Sequence, residues 1–324
     1  MGNKALIVGI DYMDGTKYHL TTCVNDAKDM CTALSRNYDG SINFSIQTLI
    51  NSDAKYTALK YGLESLFLGD EADTVLFYFA GHGSRQANDV FLLPYDFSDK
   101  TPGISLYDLL CMAAKCNARS KVIILDSCMS GSFGTCDLVK DLSFLPNNTV
   151  VLSACSARGS AYDLGKDTNG VFTSLIKEAL IGGAEDIFGN VTTESLYSYI
   201  EKALDPWDQR PYYKANISKS IVLKKNKPSL TIQELTQAFM LFSDKNSHFK
   251  LIKEYADYIK EYTQSGGGAI VYDEFRLLNK LYMNRLLKTC NPSTDLYEAS
   301  INEDDVELTM FGKYYYDCIL AGKL

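Results

Sequence analysis

The chain has 324 residues, 46% of them hydrophobic and 22% charged, which suits one large soluble domain or two modest ones. A net charge of −8 with no cluster of Lys and Arg excludes nucleic acid as a partner, and the one basic run, Lys224-Lys225-Asn226-Lys227, reads as a solvated linker. Nine irregularly spaced cysteines with no Cys-x-x-Cys pair exclude a disulfide framework and a structural zinc site, and free thiols suit a reducing compartment.

The chain opens on Lys4-Ala5-Leu6-Ile7-Val8-Gly9-Ile10, a strand too short and too soon interrupted for a signal peptide. No apolar run is long enough to span a bilayer, so the expectation is a cytoplasmic protein without a membrane partner. Further nearly continuous apolar runs lie at 74–80, 121–125 and 149–154, the pattern of strands buried on both faces. Between them, residues 24–36 space Val24, Ala27, Met30, Cys31 and Leu34 as a helix. Residues 53–68 do the same with Ala54, Ala58, Tyr61 and Leu66, after a capping start at Asn51-Ser52-Asp53. Helices near 171–181 and 192–204 follow, then a last strand at Ser220-Ile221-Val222-Leu223. Alternating strands and helices predict an α/β sandwich with a mostly parallel sheet. Composition shifts at 224–228, and 230–242, 247–262, 273–288 and 303–320 read as helices. The expected organisation is an α/β domain over 1–224, a linker over 225–229 and a C-terminal α-helical domain over 230–324.

Two apolar strands run into chemically reactive residues. Thr74 to Ala80 leads to Gly81-His82-Gly83-Ser84, and Lys121 to Leu125 leads to Asp126-Ser127-Cys128-Met129-Ser130-Gly131. Ligands of open α/β sheets bind at the carboxyl ends of the strands, so both residues are expected on one rim. Glycines on each side of His82 are expected to turn the backbone sharply and expose the imidazole. A cysteine beside a base is a nucleophile, which makes Cys128 and His82 the candidate catalytic pair. Backbone amides at Gly83 and Cys128 are the candidate oxyanion hole.

At these residues the sequence resembles the caspase-like cysteine peptidases of clan CD, the metacaspases most closely. The resemblance spans residues 1–224. It rests on Phe77-Tyr78-Phe79-Ala80-Gly81-His82-Gly83 and on Asp126-Ser127-Cys128-Met129-Ser130-Gly131. The opening strand to Gly9, Cys23-Val24-Asn25-Asp26-Ala27, Phe91-Leu92-Leu93-Pro94-Tyr95-Asp96, Leu152-Ser153-Ala154-Cys155-Ser156 and Gly170-Val171-Phe172-Thr173 support it. It implies a caspase-haemoglobinase fold with a p20-like part (1–156) and a p10-like part (170–224). It also implies peptide-bond cleavage through an acyl-enzyme and a Cys–His dyad, with a protein as substrate.

The resemblance further places Cys23, Asp26, Ala80 and Asp126 around the pocket for the residue before the scissile bond. Two acids there favour a basic residue, Arg over Lys for its bidentate geometry. Each acid also has a plain structural reading, Asp26 as charge at a helix N-terminus and Asp126 as a strand-end hydrogen bonder. The chain departs from the metacaspase pattern at Ala80, where Ser is usual, and at Met129, where His is usual. Asp96 matches a calcium-binding aspartate, but 104–108 lacks the paired acids, so no metal or other cofactor is expected. Arg158 and Lys166, in the polar loop 156–169, are candidate self-cleavage sites.

Near the C-terminus, a loop from Thr263 would place Gly268, Ile270 and Glu274 at EF-hand positions six, eight and twelve. Thr263, Ser265 and Gly267 lack the acids such a loop needs, so a plain helical hairpin is the better reading than a degenerate EF-hand. The domain's expected role is to dock an activator or inhibitor protein. Two alternatives to a basic-specific peptidase stay open: a catalytically silent scaffold acting through this domain, and a peptidase with non-basic specificity. By resemblance, the setting is regulated cell death, stress or defence.

Overall fold

The computed structural model describes residues 2–12, 14–86, 89–98, 103–128, 145–154, 170–204, 211–256 and 273–324; for residues 85, 86 and 128 it describes the backbone. The chain divides into two compact units, Met1–Lys227 and Pro228–Leu324.

The first unit is built on strands β1 (Asn3–Gly9), β2 (Phe44–Ile50), β3 (Thr74–Gln86), β6 (Ser120–Cys128), β7 (Thr149–Ser153) and β9 (Tyr212–Asn216), in the spatial order β2-β1-β3-β6-β7-β9. All neighbours are parallel except β7 and β9. Off this path, β4 (Asp89–Leu92) folds back on the far end of β3 and pairs with β5 (Ile104–Ser105). Alternation along the strands divides the core into two layers. Leu6, Val8, Phe77, Phe79, Ile123 and Leu125 pack under α2 (Tyr56–Leu68) and α3 (Leu106–Lys115). Ile7, Tyr78, Ala80 and Ile124 pack under α1 (Cys23–Ser35), α4 (Val171–Glu178) and α5 (Thr193–Ala203).

The chain leaves β1 through α1 to β2 on one side, then returns through α2 to β3 on the other. Strand order therefore reverses at β1, and the crevice this creates lies at the carboxyl ends of β1 and β3. Gly9, the last residue of β1, sets how close α1 comes. A Cβ there would lie 2.3 Å from the Cys23 carbonyl oxygen and 2.6 Å from the Ala27 Cβ. Only glycine permits that approach, and it carries the first turn of α1 against the strand end. Asp11 completes the junction, its Oδ1 accepting from the Val24 amide at 3.3 Å.

Several elements differ from expectation. Strands β2 and β9 lack a clean sequence signature, because each is partly exposed, whereas helix α3, absent from the expected elements, carries a regular one in buried Leu106, Leu109, Leu110 and Ala113. The last strand, β10 (Val222–Lys225), pairs with β8 (Asn190–Thr192) in a separate antiparallel ribbon rather than with the main sheet. Residues 225 and 226, expected in a linker, belong to the first unit: the Asn226 amide donates to Gly189 O at 2.7 Å and its side chain to Leu180 O at 2.9 Å.

The second unit contains helices α6 (Ile232–Phe239), α7 (Asp273–Met283), α8 (Leu296–Ile301) and α9 (Met310–Leu320). It also holds a three-stranded antiparallel sheet of β11 (His248–Lys250), β13 (Asp305–Leu308) and β12 (Leu287–Thr289), in that spatial order. These strands fall at 248–250, 287–289 and 305–308, inside or at the end of stretches expected to be helical. Buried Val306 and Leu308 alternate with Asp305 and Glu307, but two apolar residues cannot separate a period of 2 from one of 3.6. Left-handed Arg285 and Glu303 (φ 58° and 53°) close the helices just before two of the strands. Of the EF-hand-like segment, 263–272 lies outside the described residues. Its Glu274 accepts from the Tyr255 hydroxyl at 2.7 Å, under a Tyr255–Phe275 ring stack.

Candidate active site

His82 and Cys128 fall opposite each other in the parallel β3–β6 register. Neighbouring strands run roughly 4.8 Å apart, so the two Cα atoms are within reach of a shared proton between their side chains. One expectation is corrected here. The glycines around His82 do not turn the chain. β3 continues through them to Gln86, neither glycine has a positive φ, and His82 is buried at 3% exposure. At Gly81 the missing side chain serves close packing instead. A Cβ on Gly81 would come 3.2 Å from Tyr12 Oη and 3.0 Å from the Phe79 ring, and one on Gly83 would meet Ser127 Oγ at 3.5 Å. Ser127 is 1% exposed and its hydroxyl has no hydrogen-bond partner among the described residues.

The imidazole is oriented by two tyrosines that follow β1. Its Nε2 lies 2.7 Å from the Tyr18 carbonyl oxygen. A carbonyl only accepts, so this contact places the hydrogen on Nε2, and in that tautomer Nδ1 carries the lone pair that can take a proton. The Tyr12 ring packs 4.8 Å from the imidazole. Tyr12 Oη accepts from the His82 amide at 2.9 Å and donates to the Leu93 carbonyl at 2.9 Å. Tyr12 holds this position with φ 62°, a left-handed conformation that bulky residues adopt only when their surroundings demand it. Burial raises its hydroxyl pKa well above the ordinary tyrosine value, which keeps it a donor.

Beside this pair the structure gathers two acids. Asp26, in the first turn of α1, is 1% exposed. Asp126 lies on β6, opposite Ala80 in register and two residues before Cys128. Both point at Gly170, which precedes α4. A Cβ on Gly170 would meet Asp26 Oδ2 at 3.4 Å, Asp126 Oδ2 at 3.5 Å and Thr22 Oγ1 at 3.9 Å. The Gly170 amide donates to Asp26 Oδ1 at 3.0 Å, and the Thr173 hydroxyl donates to Asp126 Oδ2 at 2.6 Å. Thr173 in turn lies 2.5 Å from the Tyr78 hydroxyl, which must donate to it. Cys23 and Ala80 are buried next to this cluster in the same core layer.

Loss of solvent dominates the titration of both acids. It raises Asp26 to about 8, with the Asp126 charge adding to the effect and the Gly170 and Thr22 hydrogen bonds opposing it. It raises Asp126 to about 6, with the Thr173 hydroxyl holding it down. No basic side chain among the described residues pairs with either. Asp26 therefore does more than place charge at its own helix end: it bonds across to α4.

Gly83 and Cys128 lie on adjacent strands at the same rim. Arg158 and Lys166 lie outside the described residues, as does Met129. Asp96, the match to a calcium ligand, accepts from the Tyr56 amide at 2.8 Å and so caps α2 from another element. Sequence reasoning missed Tyr12, the Tyr18 carbonyl, Tyr78 and Thr173 as site residues. Tyr78 stands four residues before His82, and Thr173 three after Gly170, but nothing in the spacing says that their hydroxyls meet.

An α/β sheet carrying a cysteine and a histidine on adjacent parallel strands, beside an acidic recess, defines a class of thiol hydrolase fold. The family model described as caspase domain, Peptidase_C14, matches residues 3–240. The chain belongs to this family of cysteine peptidases, and its first unit has the caspase-haemoglobinase fold. The crystal structure of protein GSU0716 from Geobacter sulfurreducens is similar in fold, with a TM-score of 0.51 at 18% identity, covering 70% of this chain and 98% of that one. No curated protein matches the chain. Among the described residues, no helix is long and apolar enough to cross a membrane.

Proposed function

We propose that this protein is an endopeptidase that cuts polypeptides after Arg, and less well after Lys, with Cys128 as nucleophile and His82 as base. The observation that carries the reading is the convergence of Asp26 and Asp126 on Gly170, on the rim that also bears His82 and Cys128. Two acids with no basic partner among the described residues, in one largely buried recess, are poorly stable alone, and a cationic side chain supplies the missing charge. Guanidinium satisfies two carboxylates better than ammonium, since its donors form a planar fork.

In the reaction, His82 Nδ1 takes the Cys128 thiol proton while the sulfur attacks the scissile carbonyl carbon. The Tyr18 carbonyl holds the imidazole by Nε2–H and stabilises the imidazolium that results. The Gly83 and Cys128 amides would bind the oxyanion. The imidazolium then returns its proton to the leaving amine, and water hydrolyses the acyl-enzyme. Calcium is not needed in this scheme, and Asp96 is used as a helix cap. By family resemblance, the setting is regulated cell death, stress or defence signalling, with the C-terminal unit as a docking module.

The test is cleavage of Arg-, Lys- and Asp-ended fluorogenic peptides by the full chain, beside Cys128→Ala, with and without calcium. The expected outcome is Arg above Lys, nothing after Asp, a loss of about 10³-fold or more in Cys128→Ala, and no effect of calcium. Cleavage after Asp alone would overturn the acidic-pocket reading. Silence on all three peptides would favour the scaffold alternative.

A further inference from the structure

The two pocket acids are held differently. Asp26 takes the Gly170 backbone amide and the side chain of Thr22, just before its own helix. Asp126 takes the hydroxyl of Thr173, which is itself fixed as a donor because the Tyr78 hydroxyl donates into it. Thr173 and Tyr78 are both completely buried. They come from α4 and β3, so the chain of hydroxyls ties three elements together at one carboxylate oxygen. Hydrogen bonds in such a chain polarise one another, and the last one, to a carboxylate, is the strongest.

We propose that Thr173 and Tyr78 are positioning residues that determine specificity: their hydroxyls engage Oδ2 of Asp126 and present Oδ1, as a carboxylate, to a guanidinium in the pocket. The proposal rests on the basic-specificity reading and deepens it by naming what makes one of the two acids the receiving group. Among the described residues, the groups that act on or with Asp126 are Asp26 from α1, Tyr78 from β3 and Thr173 from α4. Asp11, beyond β1, acts on Asp26. Among the described residues the charged neighbours are acidic, so the Thr173 hydroxyl is the local group that favours the ionised form of Asp126, and Asp26 is the acid that keeps a proton when the pocket is empty.

The consequence is a division of labour that a structural role for Thr173 would not produce. Thr173→Val keeps the shape and removes the donor, whereas Thr173→Ser keeps the donor. The experiment compares kcat/KM on an Arg-ended peptide and its neutral citrulline-ended isostere from pH 5 to 9, in the full chain. Alkylation of Cys128 by iodoacetamide, followed by mass spectrometry, reports on the dyad without using the pocket. Thr173→Val is expected to lower the Arg-to-citrulline ratio by about 10-fold or more, the value of a hydrogen bond to a charged group. Its acid limb on the Arg peptide should move to higher pH, since loss of a donor raises a carboxyl pKa. Thr173→Ser should restore most of both, Tyr78→Phe should shift both less and in the same direction, and alkylation should be unchanged in every variant. The proposal falls if Thr173→Val keeps the wild-type ratio and acid limb, if Thr173→Ser is as impaired as Thr173→Val, or if alkylation drops in step with the ratio. A wild-type protein that does not prefer Arg to citrulline would overturn the acidic-pocket reading and this inference together, an outcome distinct from those three.

Discussion

The surface of the C-terminal unit and the recess of the peptidase unit hold acidic side chains in opposite ways. In the C-terminal unit, acids meet bases near the surface: Glu234 with Lys280 at 2.6 Å, Glu307 with Lys288 at 2.9 Å, Asp317 with Lys245 at 2.7 Å. These pairs stay partly hydrated, and each is worth well under 1 kcal/mol or so. In the peptidase unit, buried Asp26 and partly buried Asp126 face each other, with hydroxyl and amide donors but no cation among the described residues. A fold selected for stability alone would neutralise or pair them. The contrast separates charge that solubilises a surface from charge held ready for a ligand.

The comparison breaks most visibly at the buried pair. Asp26→Asn should lower kcat/KM on Arg-ended peptides by about 10- to 100-fold, through loss of a charge-assisted contact. The same change should stabilise the empty protein at pH 8. A carboxyl whose folded pKa is raised, here from 3.8 to about 8, binds its proton more tightly in the fold than in the unfolded chain. Its contribution to stability is complete below about pH 4 and is lost as pH rises towards 8. The asparagine removes that loss, so urea unfolding should show a gain at pH 8 and none at pH 4. Equal behaviour at both values would mean that Asp26 ionises normally in the empty pocket. For the same reason, the ratio of Arg to citrulline cleavage in the wild-type protein should climb from pH 6 to pH 8.

Next in size is the junction that brings the acid to the rim. Gly9→Ala drives a Cβ into the Cys23 carbonyl and should cost about 1–3 kcal/mol in urea unfolding, with loss of Arg preference as α1 is displaced. Tyr12→Phe keeps the ring against His82 and removes the hydroxyl from two backbone groups. It should lower kcat about 10-fold with little change in KM, a pattern that marks an effect on the base rather than on the pocket. At the small end, Lys280→Met breaks the Glu234 pair on the C-terminal unit. It should change stability by less than about 1 kcal/mol and leave cleavage untouched.

Much of the site was legible because its residues lie next to strong apolar strands. β3 and β6 announce themselves by composition, and His82, Asp126 and Cys128 follow them directly. The wrong inference about the glycines shows the limit. A Gly-His-Gly run fits a sharp turn and an extended strand equally well. What decides is whether something packs where the side chains would be, and at Gly81 the Phe79 ring and the Tyr12 hydroxyl do. The C-terminal strands were missed for a related reason. Three- and four-residue strands carry too few residues to show a period.

The sequence by itself determined the parallel sheet and the His82–Cys128 pair as a candidate, since both depend on long buried strands and the residues that end them, while the acids of the recess came from family resemblance. Tertiary structure alone decided the rest. The Tyr18 carbonyl reaches His82 across 64 residues, Gly170 reaches Asp26 across 144, and Thr173 links Tyr78 to Asp126 across 95 and 47. Hydrogen bonds act over about 3 Å, and only the folded sheet brings such distant positions that close.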